Sequence, residues 1–144
     1  MGNLNEIPAT LSPTQQIVAG LVARARTAQA VAARYTQAQL DELVTAAGWA
    51  IMEPSRNRTL AEIAVRDTGL GNVADKINKN HRKTLGLLRD LKGAISTGVL
   101  AEQPDLGITE IARPVGVVCA VVPSTNPGAT PANNIILAPS PKAT

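Results

Sequence analysis

The chain has 144 residues, of which 44% are hydrophobic, yet it contains no Phe, one Trp and one Tyr. Because its apolar residues are mainly Ala, Val, Leu and Ile, which bury less area than aromatic residues do, the sequence predicts a thin core. A single cysteine excludes an internal disulfide framework, and no Cys/His cluster has the spacing of metal ligands. The net charge of +3 is too small to predict a polyanionic partner.

The sequence predicts a cytoplasmic protein without membrane contact. No cationic, apolar signal segment begins the chain, and its longest apolar run is far shorter than the roughly 20 residues that span a bilayer. Basic charge is concentrated in residues 76–92, where six Lys or Arg accompany one acidic residue, Asp90. Since this segment has no aromatic residue for base stacking and no DNA-binding motif, we expect a solvated helix face and no nucleic-acid partner.

The first half of the chain is predicted to be helical. Residues 12–15 form a capping-box pattern with Pro13 at the first helical position, and residues 36–39 repeat the capping signal. Apolar residues follow each cap at the helical period. Pro54 is expected to end the second helix, and Ser55 to cap a third.

A fourth helix is predicted from Asn72 as its N-cap to Leu91, and its polar middle, residues 78–84, has the weakest helical pattern. Just before it, residues 69–74 fit the letters of a dinucleotide-binding fingerprint. That fingerprint requires a strand before its glycines, whereas a helix is predicted there. A plain turn between two helices is therefore the favoured interpretation.

The period of the pattern changes after Ser96. Short alternating segments at 98–100 and 107–112 are separated by Pro104 and Asp105, which predicts a β-hairpin. A lone two-stranded ribbon is marginally stable and has unpaired edges, so we expect another protein surface to pair with it. The chain thus divides into a helical segment (1–95), a ribbon (96–114) and a last segment (115–144).

The last segment begins with an uninterrupted apolar run from Val115 to Val122, typical of a strand covered on both faces in a parallel sheet. Pro123 and Pro127 stop the ladder, so the polar residues between them lie in a loop at the carboxyl end of the strand. In open α/β sheets, ligands bind at such ends. A helix is predicted to follow, with Thr130 as its N-cap and Pro131 at its first position.

Asn126 in this loop has two interpretations from the residues alone. Its side-chain amide could donate to a carbonyl oxygen that becomes negatively charged during a reaction. It could equally close an Asx-turn before Pro127, which is a purely structural role. Cys119, in the middle of the predicted covered strand, is expected to be structural, and His81, without an orienting partner at a catalytic spacing, is expected to lie on the surface.

Three passages near the end carry a family resemblance: ITEIARPVG at 108–116, VVPSTNP at 121–127 and APSPK at 138–142. They resemble the aldehyde dehydrogenase superfamily. Within it they are most similar to the coenzyme-A-acylating branch, in particular to acylating sulfoacetaldehyde dehydrogenases, and TGLG at 68–71 and LLRDLK at 87–92 agree with that branch. The resemblance covers only the amino-terminal part of such an enzyme.

The resemblance implies an α/β fold in which amino-terminal helices and a β-ribbon precede the first strand of a Rossmann-like parallel sheet. Residues 115–144 would then begin an NAD(P)-binding domain that this sequence leaves incomplete. The ribbon at 96–114 would be the oligomerisation arm, which implies a homo-oligomer. The reaction implied is the oxidation of a small aldehyde, such as sulfoacetaldehyde, with NAD or NADP. The acyl group is then transferred to coenzyme A through a cysteine thioester.

The resemblance also assigns site residues. In the family, the Asn of the matching Pro-x-x-Asn-Pro loop stabilises the oxyanion, which implies this role for Asn126. The crevice for the dinucleotide would be lined by Val122, Pro123 and Ser124 on one wall and by Ala138, Pro139 and Ser140 on the other. Many family members carry a lysine where Ala138 stands, so the choice between NAD and NADP stays open.

The end of the sequence departs from the family. Relatives have a complete helix after the Asn-Pro loop, then a turn, then a strand, whereas residues 131–139 are too few for both elements and contain no turn residue between them. We therefore expect residues to be missing near 136–137. The family's reactive cysteine also lies on a loop far beyond the matched part, so this portion alone is expected to be inactive. The alternative is a non-catalytic module that acts by subunit pairing.

Overall fold

The computed structural model describes residues 11–139. They fall into two compact units, which divide between Arg34 and Tyr35. The first unit is formed by helix α1 (Pro13–Ala32), which begins as predicted. The Ser12 side chain accepts from the backbone N–H of Gln15, and the Gln15 side chain accepts from the backbone N–H of Ser12.

The second unit contains four helices and one β-ribbon. Its helices are α2 (Gln37–Met52), α3 (Pro54–Thr68), α4 (Val73–Leu91) and α5 (Ala129–Leu137), and its strands are β1 (Gly98–Gln103) and β2 (Ile108–Ala112). Helix α4 lies at the centre, because α2, α3 and α5 all pack against it. None of the helices between residues 11 and 139 is both long enough and apolar enough to cross a membrane.

Helix α3 is capped by a different residue from the one predicted. Glu53, and not Ser55, is its N-cap, and the Glu53 carboxylate accepts from the backbone N–H groups of Ser55 and Arg56 at 3.1 and 2.9 Å. The Ser55 hydroxyl donates to the same carboxylate at 2.6 Å. These bonds, first that of the Ser55 hydroxyl and then the backbone N–H groups, lower the pKa of Glu53 from 4.5 to about 2.

The glycine-containing segment after α3 is a turn between helices, as favoured from the sequence. Gly69 is the C-cap of α3 and adopts the left-handed conformation with φ of 67°, which glycine reaches without steric cost. Its N–H donates to the carbonyl of Val65. Asn72 then caps α4 by accepting from the backbone N–H of Asp75, so the predicted start of that helix is confirmed.

The polar middle of α4 is helical and is used for packing. Asn80 and Thr84 on α4 are buried, as is Asn57 on α3. The Asn80 amide donates to the Asn57 side-chain oxygen at 3.0 Å, and the Asn57 amide donates to the carbonyl of Ile77 at 3.1 Å. This pairing offsets the cost of burying polar groups and fixes α3 against α4.

The core is thin, as the composition predicted. Within residues 11–139 the buried hydrophobic residues are few, and half of them are alanine: Leu40, Ile51, Ala61, Ala64, Ala129 and Ile136. Helices α2 and α4 approach closely at Gly48, where an added Cβ would lie 2.6 Å from Cδ1 of Leu88. Small residues thus let the helices come together where large apolar side chains are scarce.

The predicted hairpin is present. Strands β1 and β2 pair antiparallel, with Gln103 opposite Ile108 and Gly98 opposite Ala112, and a bulge interrupts the register at Leu100. Just before β1, the Gln37 side chain accepts from the backbone N–H of Ser96 at 2.7 Å and donates to the carbonyl of Ala94 at 3.2 Å. This pair of bonds ties the entrance of the ribbon to the start of α2.

The prediction of a covered strand at residues 115–122 is wrong. Residues 115–122 pair with no strand, and the ribbon is the only sheet among the described residues. Their apolar side chains are exposed, with Val121 at 92%. A parallel strand needs a neighbouring strand on which to form its ladder, and the strands among the described residues, β1 and β2, pair only with each other. Cys119, expected to be buried in this strand, is consequently exposed.

Candidate functional site

The loop with Asn126 is a tight turn that leads directly into α5. The backbone N–H of Asn126 donates to the carbonyl of Pro123 at 3.3 Å, and the Asn126 carbonyl accepts from the N–H of Thr130 at 3.3 Å. The helix therefore begins earlier than predicted. Its N-cap is Gly128, without a side-chain cap, so Thr130 is the second helical residue and not the cap.

Two lysines of α4 hold this loop. The Lys76 ammonium donates to the backbone carbonyl of Thr125 at 3.0 Å, and the Lys79 ammonium donates to the side-chain oxygen of Asn126. Lysines three residues apart lie on the same side of a helix, so both reach the loop from one face of α4. The sequence predicted a solvated face here, and these two lysines are instead half-buried.

The backbone at the beginning of α5 approaches α4 closely. A Cβ added to Gly128 would lie 3.2 Å from the side-chain oxygen of Asn80. The Asn80 side chain is itself buried and hydrogen-bonded to Asn57. Glycine at 128 therefore allows the loop to reach a position that a larger residue would obstruct.

These contacts fix how the Asn126 amide is oriented. An ammonium group can only donate, so the carbonyl end of the amide must face Lys79 and the NH₂ end must lie on the other side. In an Asx-turn the same oxygen would accept from the chain's own backbone. Here it accepts from Lys79 instead. The NH₂ group is thereby left available to an outside acceptor, which is the orientation that an oxyanion donor needs.

The residues predicted to line the dinucleotide crevice lie near the two ends of α5. Val122, Pro123 and Ser124 are exposed on the turn before Asn126, whereas Ala138 and Pro139 follow the other end of α5. Between them lies α5, whose nine residues make a helix about 13 Å long at 1.5 Å per residue. Ser140 lies outside the described residues.

A separate cleft of about 510 Å³ lies between the start of α3 and the middle of α4. It is lined by Met52, Pro54, Asn57, Ile77, Asn78, His81 and Arg82. His81 is exposed, as expected, and no carboxylate lines the cleft to orient it. No three His, Cys, Asp or Glu side chains between residues 11 and 139 are grouped so that they could hold a metal ion.

Comparisons with known proteins show what the chain is similar to. No protein-family model matches the chain. It is 65% identical over 137 residues to the acylating sulfoacetaldehyde dehydrogenase of Cupriavidus necator, with 88% of this chain and 28% of that protein covered. It is 50% identical over 106 residues to the acylating sulfoacetaldehyde dehydrogenase of Bilophila wadsworthia, with 74% and 23% covered. The crystal structure of an acetylating aldehyde dehydrogenase from Geobacillus thermoglucosidasius matches with a TM-score of 0.80 at 32% identity, over 85% of this chain and 27% of that one.

The chain is homologous to the amino-terminal part of acylating aldehyde dehydrogenases. It spans only 28% of the length of its Cupriavidus relative. The predicted helices and ribbon are those of an incomplete α/β dehydrogenase domain.

The alignment lengths bear on the residues expected to be missing. Since 88% of 144 residues is about 127, about ten of the 137 positions aligned with the Cupriavidus dehydrogenase have no counterpart in this chain. The shorter Bilophila alignment has no such difference, because its 106 residues already make up 74% of the chain. An internal shortening relative to the Cupriavidus dehydrogenase is thus supported. Its location at 136–137, where α5 now continues without a turn, stays a prediction.

Proposed function

We propose that this chain forms the amino-terminal part of an enzyme that oxidises an aldehyde with NAD or NADP and transfers the acyl group to coenzyme A. Sulfoacetaldehyde is the proposed aldehyde, because the acylating relatives at 65% and 50% identity act on it by name. The observation that carries the proposal is the Asn126 amide, whose oxygen is held by Lys79 so that its NH₂ group is free to donate.

The proposed role of Asn126 follows from the chemistry of acyl transfer. When a cysteine thiolate attacks the aldehyde carbon, a C–S bond forms and the π electrons of the carbonyl move onto its oxygen. A rigidly held N–H donor stabilises that charge without having to reorganise during the reaction. The same need returns when the thiolate of coenzyme A attacks the resulting thioester and the cysteine leaves. Asn126 would serve both steps.

A bound nicotinamide dinucleotide would supply the oxidant, because it can accept the hydride and with it two electrons from the aldehyde carbon. In this proposal Val122, Pro123 and Ser124 would line one wall of its site, and Ala138 and Pro139, which follow α5, would belong to the other. These residues alone do not enclose a dinucleotide. It enters this proposal only as the oxidant, and the choice between NAD and NADP is part of what binding experiments must determine.

Cys119 is not the proposed nucleophile. Its exposure removes the argument that the thiol is buried, but a nucleophilic thiolate also needs an activating cation or helix start beside it. The family resemblance places the reactive cysteine outside the matched part.

For the environment, we propose the reducing cytoplasm, where a lone cysteine stays free. Homo-oligomer formation through the ribbon at 96–114 is proposed as well, with no nucleic-acid or membrane partner.

Replacing Asn126 tests the oxyanion role. In the enzyme that carries this sequence, we expect Asn126→Ala to lower kcat by about 10²–10³, as the loss of one oxyanion donor does. Thr125→Ala is the matched control, since Thr125 contributes only its backbone carbonyl to the contact with Lys76. Steady-state coenzyme-A-dependent oxidation of sulfoacetaldehyde provides the measurement. Unchanged turnover in Asn126→Ala would remove this residue from the mechanism.

A second candidate function is a non-catalytic module that acts by pairing with another subunit. The exposed apolar side chains of the ribbon and of residues 115–122 favour it, because such surfaces bind other proteins. Intact mass spectrometry of the natural protein distinguishes the two. A mass near 15.0 kDa would support the pairing module, and a mass several times larger would support the enzyme.

A further inference from the structure

The contact between Lys79 and Asn126 joins two parts of the chain that are far apart in sequence. Lys79 lies in the middle of α4, and its ammonium donates to the side-chain oxygen of an asparagine 47 positions later. Both residues are half-buried. One turn earlier on α4, Lys76 holds the neighbouring carbonyl of Thr125 at 3.0 Å. The loop is thus fixed at two successive residues, once through its backbone and once through the amide itself.

The two lysines act on different groups. Lys76 restrains the backbone of the turn, and any donor of similar length could do this. Lys79 acts on the amide and so determines which of its two ends faces outward. If the amide turned over, its NH₂ group would meet the ammonium, and two donors cannot form a hydrogen bond with each other. The cation therefore selects one orientation of Asn126.

Helix α4 supplies a firm base for Lys79. The next residue, Asn80, is buried and bonded to Asn57 at 3.0 Å, and Thr84 one turn further on is fully buried. The backbone that carries the lysine is thereby anchored on both α3 and α5, whose first turn lies against Asn80 at Gly128. A charge held on the carbonyl side of an amide also polarises its N–H bonds, which strengthens their donation to an anion.

We propose that Lys79 is a positioning residue for the oxyanion donor: it holds the Asn126 oxygen so that the NH₂ group faces the carbonyl oxygen of the substrate. This inference rests on the proposed function for its consequence in catalysis. The hydrogen bond and the orientation of the amide can be tested independently of any reaction.

The first test observes the amide in the 144-residue chain. The side-chain NH₂ signals of Asn126 are assigned by ¹⁵N NMR in the wild type and in Lys79→Met, Lys79→Arg and Lys83→Met. We expect Lys79→Met to move these signals and to speed their exchange with water, and Lys79→Arg, which keeps a cationic donor, to preserve them. Lys83 is exposed on the same helix, so Lys83→Met is the matched control and should leave the signals unchanged. Asn126 signals that are the same in Lys79→Met and in the wild type would overturn the inference.

The second test measures kinetics in the enzyme that carries this sequence. We expect Lys79→Met to lower kcat about ten- to a hundredfold while KM changes little, because the affected interaction is made in the transition state. In an Asn126→Ala background, Lys79→Met should have almost no further effect. Circular dichroism melting verifies that each variant is folded, and Lys79→Gln replaces Lys79→Met if the latter is not.

The two tests separate the two hypotheses. If Asn126→Ala leaves turnover unchanged while the NMR signals respond to Lys79, the proposed function fails and the hydrogen bond stands as a structural contact. If Lys79→Met lowers kcat equally with and without Asn126, Lys79 acts by another route and the positioning role is overturned.

Discussion

Glu53 is both the C-cap of α2 and the N-cap of α3. Its N–H donates to the carbonyl of Trp49 at the end of α2, and its carboxylate caps the beginning of α3. Arg56, one turn into α3, reaches back to the carbonyl of Ala50 at 2.9 Å. Two helices that follow each other without a linker thus satisfy one another's terminal groups, which would otherwise remain unpaired. The negative charge also lies at the positive end of the α3 dipole.

This cap predicts a specific dependence of stability on pH. Since the pKa of Glu53 falls from 4.5 to about 2 on folding, its charge stabilises the folded state above pH 4.5, and this contribution is lost as the pH falls towards 2. Urea unfolding of the wild type and of Glu53→Gln should show the largest difference near neutral pH. The two curves should converge near pH 2.

Asp75, which lies in the first turn of α4 but caps no helix by its own side chain, provides the control. In Asp75→Asn the pH profile should keep the component assigned to Glu53. A difference between wild type and Glu53→Gln that stays constant from pH 6 to pH 2 would contradict the assignment.

At the scale of elements, local signals in the sequence were sufficient for the helices and the hairpin. The capping boxes at Ser12 and Thr36 and the cap at Asn72 involve residues three positions apart, so their geometry is written in the sequence itself. The hairpin turn at Pro104 is equally local. Glu53 was missed because Ser55 is the commoner cap residue, and only the entry angle from α2 brings the carboxylate to the N–H groups of α3.

The site itself could be predicted only in part. The loop at Asn126 was evident from its flanking prolines, but its contact with Lys79 joins segments 47 residues apart and has no local signature. Residues 115–122 show the converse: their composition suits a covered strand, yet a strand forms only where neighbours supply a ladder. A polar helix middle such as that of α4 is a usable signal, because buried polar residues need partners elsewhere in the chain.

The junction of α4 and α5 gives a prediction at this scale. In Gly128→Ala the new Cβ would lie 3.2 Å from the Asn80 side-chain oxygen, which cannot retreat without disturbing its bond to Asn57. We expect the variant to be destabilised by about 1 kcal/mol, through crowding and because alanine is a poor N-cap. Urea unfolding followed by circular dichroism measures the change.

Gly86→Ala is the matched control for this substitution. Gly86 lies within α4, where an added Cβ meets nothing within 4 Å, so alanine should stabilise the protein by up to about 1 kcal/mol through helix propensity. The two glycine substitutions should therefore shift stability in opposite directions. Equal stabilisation by both would show that α5 does not approach Asn80 as closely as described.

At the scale of the whole molecule, the described residues bury few apolar side chains and leave many large ones exposed. The apolar side chains of the ribbon are half exposed, with Val99 and Ile111 both at 49%, although they pair with each other across the strands. Residues 115–122 add a further stretch of exposed apolar surface. Monomeric proteins rarely leave such surfaces uncovered.

We therefore expect the ribbon to determine the oligomeric state. If the ribbon pairs with a second copy, light scattering after gel filtration should give a mass above the 15.0 kDa of one chain. Ile111→Lys should lower that mass, because a lysine on the strand introduces a charge that a paired apolar surface cannot accept. Leu106→Lys is the control, since Leu106 is 68% exposed in the turn between the strands and does not belong to either of them. A loss of mass in both variants would indicate a general loss of structure, whereas an unchanged mass in Ile111→Lys would show that the ribbon does not mediate self-association.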